Sequence, residues 1–289
     1  MKGKGSRMHI VNLDEDNIEM YVDFLTPDVA ENIGRTFYKG LVVEKEGELI
    51  AGMVWNVRNM MNDEDNESHI SFLKINDEEA GNLLFEEYKD LAREDDVVKT
   101  TFSLPAKSTT SEQQALANAG FSVKFMEGDL IKARLSEIGE LAFIKKVRVS
   151  DDIHSLKTMT QRGFNSAIRS FVAKGLYGLC EDLPYLPRTY FENDVSCYAE
   201  VNGQVNGIFL FHKNPSEGLM IVVMAAIGSD FGKILPQMMK FSVLTALEEY
   251  SDETEIWIDR HNYASLALSE KLFPRGFGTP VYIGSRQES

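Results

Sequence analysis

The sequence predicts an α/β (α+β) chain of two tandem domains, each a mixed, mostly antiparallel central sheet flanked by helices. Three observations carry this prediction. Strand-like and helix-like segments alternate along all 289 residues. The same order of segments occurs twice. One offset in numbering, 156, relates Gly47 to Gly203 and Gly120-Phe121 to Gly276-Phe277 (203 − 47 and 276 − 120). It also aligns Ala51 with Gly207, Phe102 with Ile258 and Leu116 with Leu272. The two domains are set at 1–139 and 140–289.

In the first half, His9 to Leu13 reads as a strand, and Ile18 to Ile33 has helical spacing. Tyr38 to Val43 and Leu49 to Val57 read as strands joined by a turn at Glu46-Gly47-Glu48. Ser68 to Ile75 is the next strand. Asp77, Glu78 and Glu79 then place negative charge in a first helical turn, where the helix dipole favours it. Val97 to Leu104 is a strand, Ser111 to Ala119 a helix stopped by Gly120, and Phe121 to Leu135 holds one or two further strands.

The second half replays the order. Lys145 to Val149 is the expected first strand, matched to the first half through Val11 and Arg148, and Asp151-Asp152 the start of a helical region. Ser196 to Val201 and Val205 to His212 flank a turn at Asn202-Gly203. Leu219 to Ile227 is a long apolar strand, expected to be buried on both faces. Lys233 to Tyr250 is a helix with Pro236 in its first turn, where a missing N–H costs little. Glu255 to Asp259, Ala264 to Leu272 and Val281 to Ile283 complete the set as strand, helix and strand. The first strands sit closer together than the common offset (148 − 11 = 137). The second half is therefore expected to have gained the difference, 156 − 137 = 19, and the gain is placed in Lys174 to Phe191. That stretch reads either as a loop covering something or as a plain surface excursion.

Composition narrows the functional classes. Apolar residues make up 43%, enough for sizeable cores, and no apolar run approaches the ~18 residues of a membrane helix. The formal net charge of −15, with no dense Lys/Arg cluster, argues against nucleic acid. The charge is uneven: residues 1–139 carry 15 Lys/Arg against 27 Asp/Glu, and residues 140–289 carry 15 against 18. An anionic ligand suits the second half better. Cys180 and Cys197 make neither a disulfide framework nor a zinc cluster, and no metal-ligand spacing is present. The basic start, Met1 to Arg7, is followed by no apolar signal core, so the cytoplasm is the expected location.

The stretch from Asn262 through Ser269-Glu270-Lys271-Leu272 to Gly276-Phe277 resembles the late motif of the GNAT acyltransferases. The turn Asn202-Gly203-Gln204-Val205-Asn206-Gly207 is similar to that family's second-to-third strand turn, and Ala115 to Phe121 is a weaker echo in the first half. The resemblance implies two GNAT-like domains and transfer of an acyl group from acetyl-CoA (coenzyme A) to a small-molecule or peptide amine. Its cofactor pyrophosphate would sit at the turn before the helix that follows the fourth strand, where backbone N–H groups and glycines receive an anion. In the second half this is Ile227, Gly228, Ser229, Phe231, Gly232 and Lys233, with Asn262 as a further contact or as the N-cap of its own helix. The family's Arg/Gln is not evident there, and Asp230 does not suit a phosphate. In the first half Asp77, Glu78 and Glu79 would face the phosphate, so that domain is expected to be degenerate.

For chemistry, the resemblance asks for a base, an oxyanion contact and an acid for the leaving thiolate. The family's late-motif Tyr is Ser269 here, a poorer acid, and Tyr263 stands near it. His212 and Glu200 are the candidate bases, and Glu181-Asp182 could attract a cationic amine. The alternatives are a non-catalytic tandem module that keeps the fold for ligand or partner binding, and acyl transfer from a different donor. The acceptor and the oligomeric state are not legible.

Overall fold

The computed structural model describes residues 8–60, 64–176, 178, 180–228, 230–259 and 278–288, with Phe231 described by its backbone alone. Its strands are β1 (Met8–Asn12), β2 (Tyr38–Lys45), β3 (Glu48–Arg58), β4 (Asn66–Ile75), β5 (Val97–Pro105), β6 (Lys124–Arg134), β7 (Ile153–Ser155), β8 (Cys197–Val201), β9 (Gln204–Lys213), β10 (Leu219–Ala226), β11 (Glu255–Asp259) and β12 (Gly278–Gln287). The helices are α1 (Val22–Leu25), α2 (Pro27–Ala30), α3 (Glu78–Glu94), α4 (Thr110–Asn118), α5 (Leu135–Gly139), α6 (Ala142–Lys146), α7 (Gln161–Val172) and α8 (Phe231–Glu249). No helix among the described residues is long and apolar enough to cross a membrane.

The chain forms two compact units, Met1–Gly128 with Thr279–Ser289, and Asp129–Gly278. The expected division at 139/140 assigns both ends differently. Each unit takes its sixth strand from the other half of the sequence. The first has the strand order β1-β2-β3-β4-β5-β12, the second β7-β8-β9-β10-β11-β6. Within each unit the paired strands are antiparallel except β4 with β5 and β10 with β11.

In the first unit, Ala80, Leu84, Tyr88 and Ala92 recur every four residues and give α3 one buried face. That face packs on Trp55, Phe102 and Phe121, while Tyr21, Phe24 and Leu25 cover the opposite side. The expected helix over Ile18 to Ile33 is broken at Thr26, which has φ 93°. Pro27 follows it, and the ring disfavours helical backbone in the preceding residue. The turns read as equivalent are equivalent: Glu46-Gly47 have φ 56° and 85°, and Asn202-Gly203 have 54° and 75°. Two successive left-handed residues are what this two-residue hairpin turn requires.

In the second unit α5, α6 and α8 lie on one face of the sheet, and α7 with Cys180, Leu183 and Phe191 on the other. Four expectations are corrected here. Lys145 to Val149 is not a strand; α6 occupies its start, and the first strand is β7, a three-residue edge whose His154 and Ser155 leave no apolar signature. Asp151-Asp152 therefore lead into a strand rather than a helix. His154 pairs with Tyr198 as Val11 pairs with Val42, so the true separation of the first strands is 154 − 11 = 143. The second half has accordingly gained 156 − 143 = 13, less than expected. Pro236 is the sixth residue of α8, because the helix starts two residues earlier than expected, at Phe231.

Candidate active site

The second unit carries a V-shaped opening in its sheet. Among the described residues β10 and β11 pair at two positions, Leu219 with Ile256 and Met220 with Trp257. Beyond them the strands diverge. The cause lies on the other side of β10, where the register with β9 passes from Ile221–Phe211 to Val223–Leu210, leaving Val222 as a bulge. A bulge bends its strand and interrupts the ladder. The V is closed at Met220 and Trp257 and open toward Ile227. Glu255, the first residue of β11, lies at the closed end. β10 is also less sealed than expected, with Met220, Ile221, Met224 and Ala226 half-buried.

The open end leads to the turn before α8. Gly228 has φ 92°, and a Cβ on it or on Gly232 would meet no atom of a described residue within 4 Å. Asp230 is the N-cap residue, yet its side chain caps no N–H. Its carboxylate pairs at 3.2 Å with Lys233, which is exposed. Ile227 differs from the rest of the predicted set, because its N–H donates to the Asn206 carbonyl at 2.8 Å and is spent on the sheet. Ser229, Asn262, Tyr263 and Ser269 lie outside the described residues.

The first unit has the same opening and has filled it from within. β4 and β5 pair from Asn66 to Ile70, and a bulge at Ser71 precedes their divergence. Asp77 caps α3 by accepting from the Ala80 N–H at 3.0 Å, and it pairs with Lys45 at 3.6 Å. At the end of β4, the Ile75 N–H donates at 2.8 Å to the carboxylate of Glu112, which is buried. Thr109 donates its N–H to the same carboxylate at 2.6 Å. Here the backbone donors that could receive a ligand oxygen already hold a carboxylate of the chain.

The structure separates the two candidate bases. Glu200 is exposed at the hairpin end of β8, beside Val205. His212 lies seven residues further along β9, ~23 Å from Val205 at strand rise, and pairs with Met220 at the closed end of the V. The His212 ring stacks on Tyr190 with centroids 4.0 Å apart. Its Nδ1 lies 2.8 Å from the Tyr190 carbonyl oxygen. A carbonyl only accepts, so Nδ1 carries a proton and donates it to this contact.

The added segment lies across the α7 face of this region. A Cβ on Gly178 would stand 2.2 Å from the Val222 carbonyl oxygen and 2.7 Å from Val223 Cγ2. Its backbone therefore rests directly on the bulge. Asp182 is buried rather than presented to solvent. Of the cysteines, Cys197 is sealed beside Ser242, and burial pushes its thiol up to about 12. That removes it as a nucleophile near neutrality. Among the described residues no group of three metal-ligating side chains converges. The sequence missed the Glu112 contact, the bulges and Gly178; only the last had a signal, as one of the two glycines in the added stretch.

No family model matches the chain, and no curated relative matches it either. Solved structures do. A tandem GNAT protein from the clavulanic acid biosynthesis pathway is 10% identical, with 98% of this chain and 99% of that one covered at a TM-score of 0.61. A conserved protein of unknown function from Enterococcus faecalis V583, described as a probable N-acyltransferase, is 9% identical; 98% of this chain and 73% of that one are covered, at a TM-score of 0.53. At such identities the likeness concerns architecture. The chain has the tandem GNAT fold.

Proposed function

We propose that this chain is an acyl-CoA-dependent N-acyltransferase whose second unit binds donor and amine acceptor, the first serving as scaffold. One contrast carries the reading. Both units open the same V between their parallel strands, but the first closes the adjoining helix terminus and strand end with Asp77 and Glu112, while in the second no described residue stands against Gly228 or Gly232. A helix N-terminus with no carboxylate capping it favours an anion. The donor's diphosphate would contact the backbone of 228–233 together with Lys233. Its arm would run down the V, beside β10 backbone that has no β11 partner after Met220.

When bound, the donor would supply a thioester carbonyl for direct attack by the amine, the C–N bond forming as the C–S bond breaks and coenzyme A leaves as its thiolate. The residues of this chain do the rest. Backbone N–H groups of β10 near the bulge are positioned for the developing oxyanion. His212, one strand away from the closed end of the V and held in place by its Nδ1–H on the Tyr190 carbonyl, is the residue we assign to take the ammonium proton. The fold likeness supports this reading as an analogy of architecture.

The first test is thermal. Coenzyme A or acetyl-CoA raises Tm if the second unit binds it. No shift at millimolar ligand sinks the proposal. Gly178, resting on the Val222 carbonyl, favours the second reading, a non-catalytic binding module, since it covers the face from which an acceptor would approach. Thioester binding without turnover of any amine in a broad acceptor panel is the outcome that selects it.

A further inference from the structure

At the closed end of the V, on the face covered by α8, the second unit holds a cavity of about 30 Å³. Ile221 on β10 and Ile258 on β11 are the first residues past the last paired positions, and both line it. Phe211, Ile256, Val243 and Ala246 close it further, and no polar surface faces it. An apolar void of this kind does not hold water, and the atoms around it forgo their dispersion contacts. At ~10–15 Å³ for each water-sized sphere, it has room for two or three carbon atoms.

Its place matters as much as its lining. From Gly228 to Ile221 is seven residues, ~23 Å at strand rise. A phosphopantetheine arm spans about thirteen bonds from phosphorus to sulfur, roughly 16 Å at ~1.2 Å per bond. About 7 Å remains between the sulfur and the vertex. An acetyl group falls short of it, whereas a chain of four to six carbons reaches the cavity.

We infer that the donor acyl group is a saturated, apolar chain of about four to six carbons, its end seated in the cavity lined by Ile221, Ile258 and Ala246. This rests on the acyl-CoA reading above, and the test is chosen so that the two fail separately. Dissociation constants of free coenzyme A, acetyl-CoA, hexanoyl-CoA and palmitoyl-CoA are measured by calorimetry on the full-length protein, without acceptor. The expected result is that hexanoyl-CoA binds roughly tenfold or more tighter than acetyl-CoA, as burial of two or more methylenes implies, and that palmitoyl-CoA gains nothing further. Equal affinities for acetyl- and hexanoyl-CoA overturn the inference and leave the acyl-CoA reading standing. No binding of any of the four, coenzyme A included, overturns both. Ala246→Leu fills the cavity and is expected to abolish the preference; Val243→Ile, one methylene larger, reduces it if the first variant folds poorly. A preference undiminished in a folded filling variant overturns the inference as well.

Discussion

Gly178 is required twice over, by its left-handed φ of 65° and by the Val222 oxygen 2.2 Å from its absent Cβ. Gly175 is left-handed too, φ 72°, but a Cβ there would meet nothing within 4 Å. Gly175→Ala should therefore cost ~1 kcal/mol of backbone strain, and Gly178→Ala at least ~2 kcal/mol because the segment must also lift from β10. Urea midpoints read the difference; equal losses would show that Gly178 makes no close contact. His212 invites a kinetic test. If its Nε2 is the proton acceptor, His212→Ala lowers kcat/KM by ~10²–10⁴ and erases the acidic limb of the pH–rate profile. A loss of stability with the pH profile intact would reduce the residue to its stack on Tyr190. Cys197 gives a pH prediction with a definite sign. Its folded pKa lies above the unfolded value, so over the window from 9 to about 12 the unfolded chain binds fewer protons. The thiol's contribution to stability is thus present below pH 9 and lost as pH rises, and iodoacetamide should not modify Cys197 in the native protein at pH 8.

At the scale of elements, the two helices that leave the parallel strands differ in how their first turns are satisfied. Asp77 caps α3, so Asp77→Ala should cost about 1 kcal/mol. Asp230 caps nothing, so Asp230→Ala should leave stability nearly unchanged while removing negative charge from the proposed diphosphate contact. Donor affinity should rise severalfold, and calorimetry would expose the reading as wrong if it fell instead. This contrast was half legible. Hydropathy period and turn glycines located β2, β3, β9, β10 and the two helices, because burial of one face writes itself into the pattern. Asp77, Glu78 and Glu79 announced a closed terminus. Glu112 could not be foreseen, since its contact with Ile75 joins residues 37 apart and depends on where α4 docks. The bulges at Ser71 and Val222 were silent too, for the side chains on either side read as unbroken strand. β7 was missed because three residues with two polar side chains carry no period. The separation of His212 from Glu200 followed only from register.

On the scale of the whole chain, the repeated plan of strands and helices was legible and strand exchange was not. The common offset survives at the hairpins, but an offset does not say which sheet a strand joins, and β6 and β12 both read simply as last strands of their halves. The exchange has a thermodynamic consequence. β12 supplies β5 with antiparallel pairing from Pro105 to Lys99. Arg286 ties it further, donating to the Ala119 carbonyl at 2.9 Å, to both Glu288 carboxylate oxygens, and lying 4.6 Å over the Phe121 ring. This pair is largely buried, with side-chain exposures of 14% and 8%. Breaking a buried pair by removing one partner leaves the other charge uncompensated. Truncation after Gly278 removes the strand, the pair and the cover over Phe102 together. A protein organised as two sequential halves would lose order in its second half on losing its C-terminus. This chain should instead lose it in the first unit. Hydrogen exchange on the truncated protein should accelerate in β4, β5 and α4, far from the cut in sequence, while α7, α8 and β9 keep their protection. Faster exchange confined to β10 and β11 would mean that β12 belongs to the second unit after all.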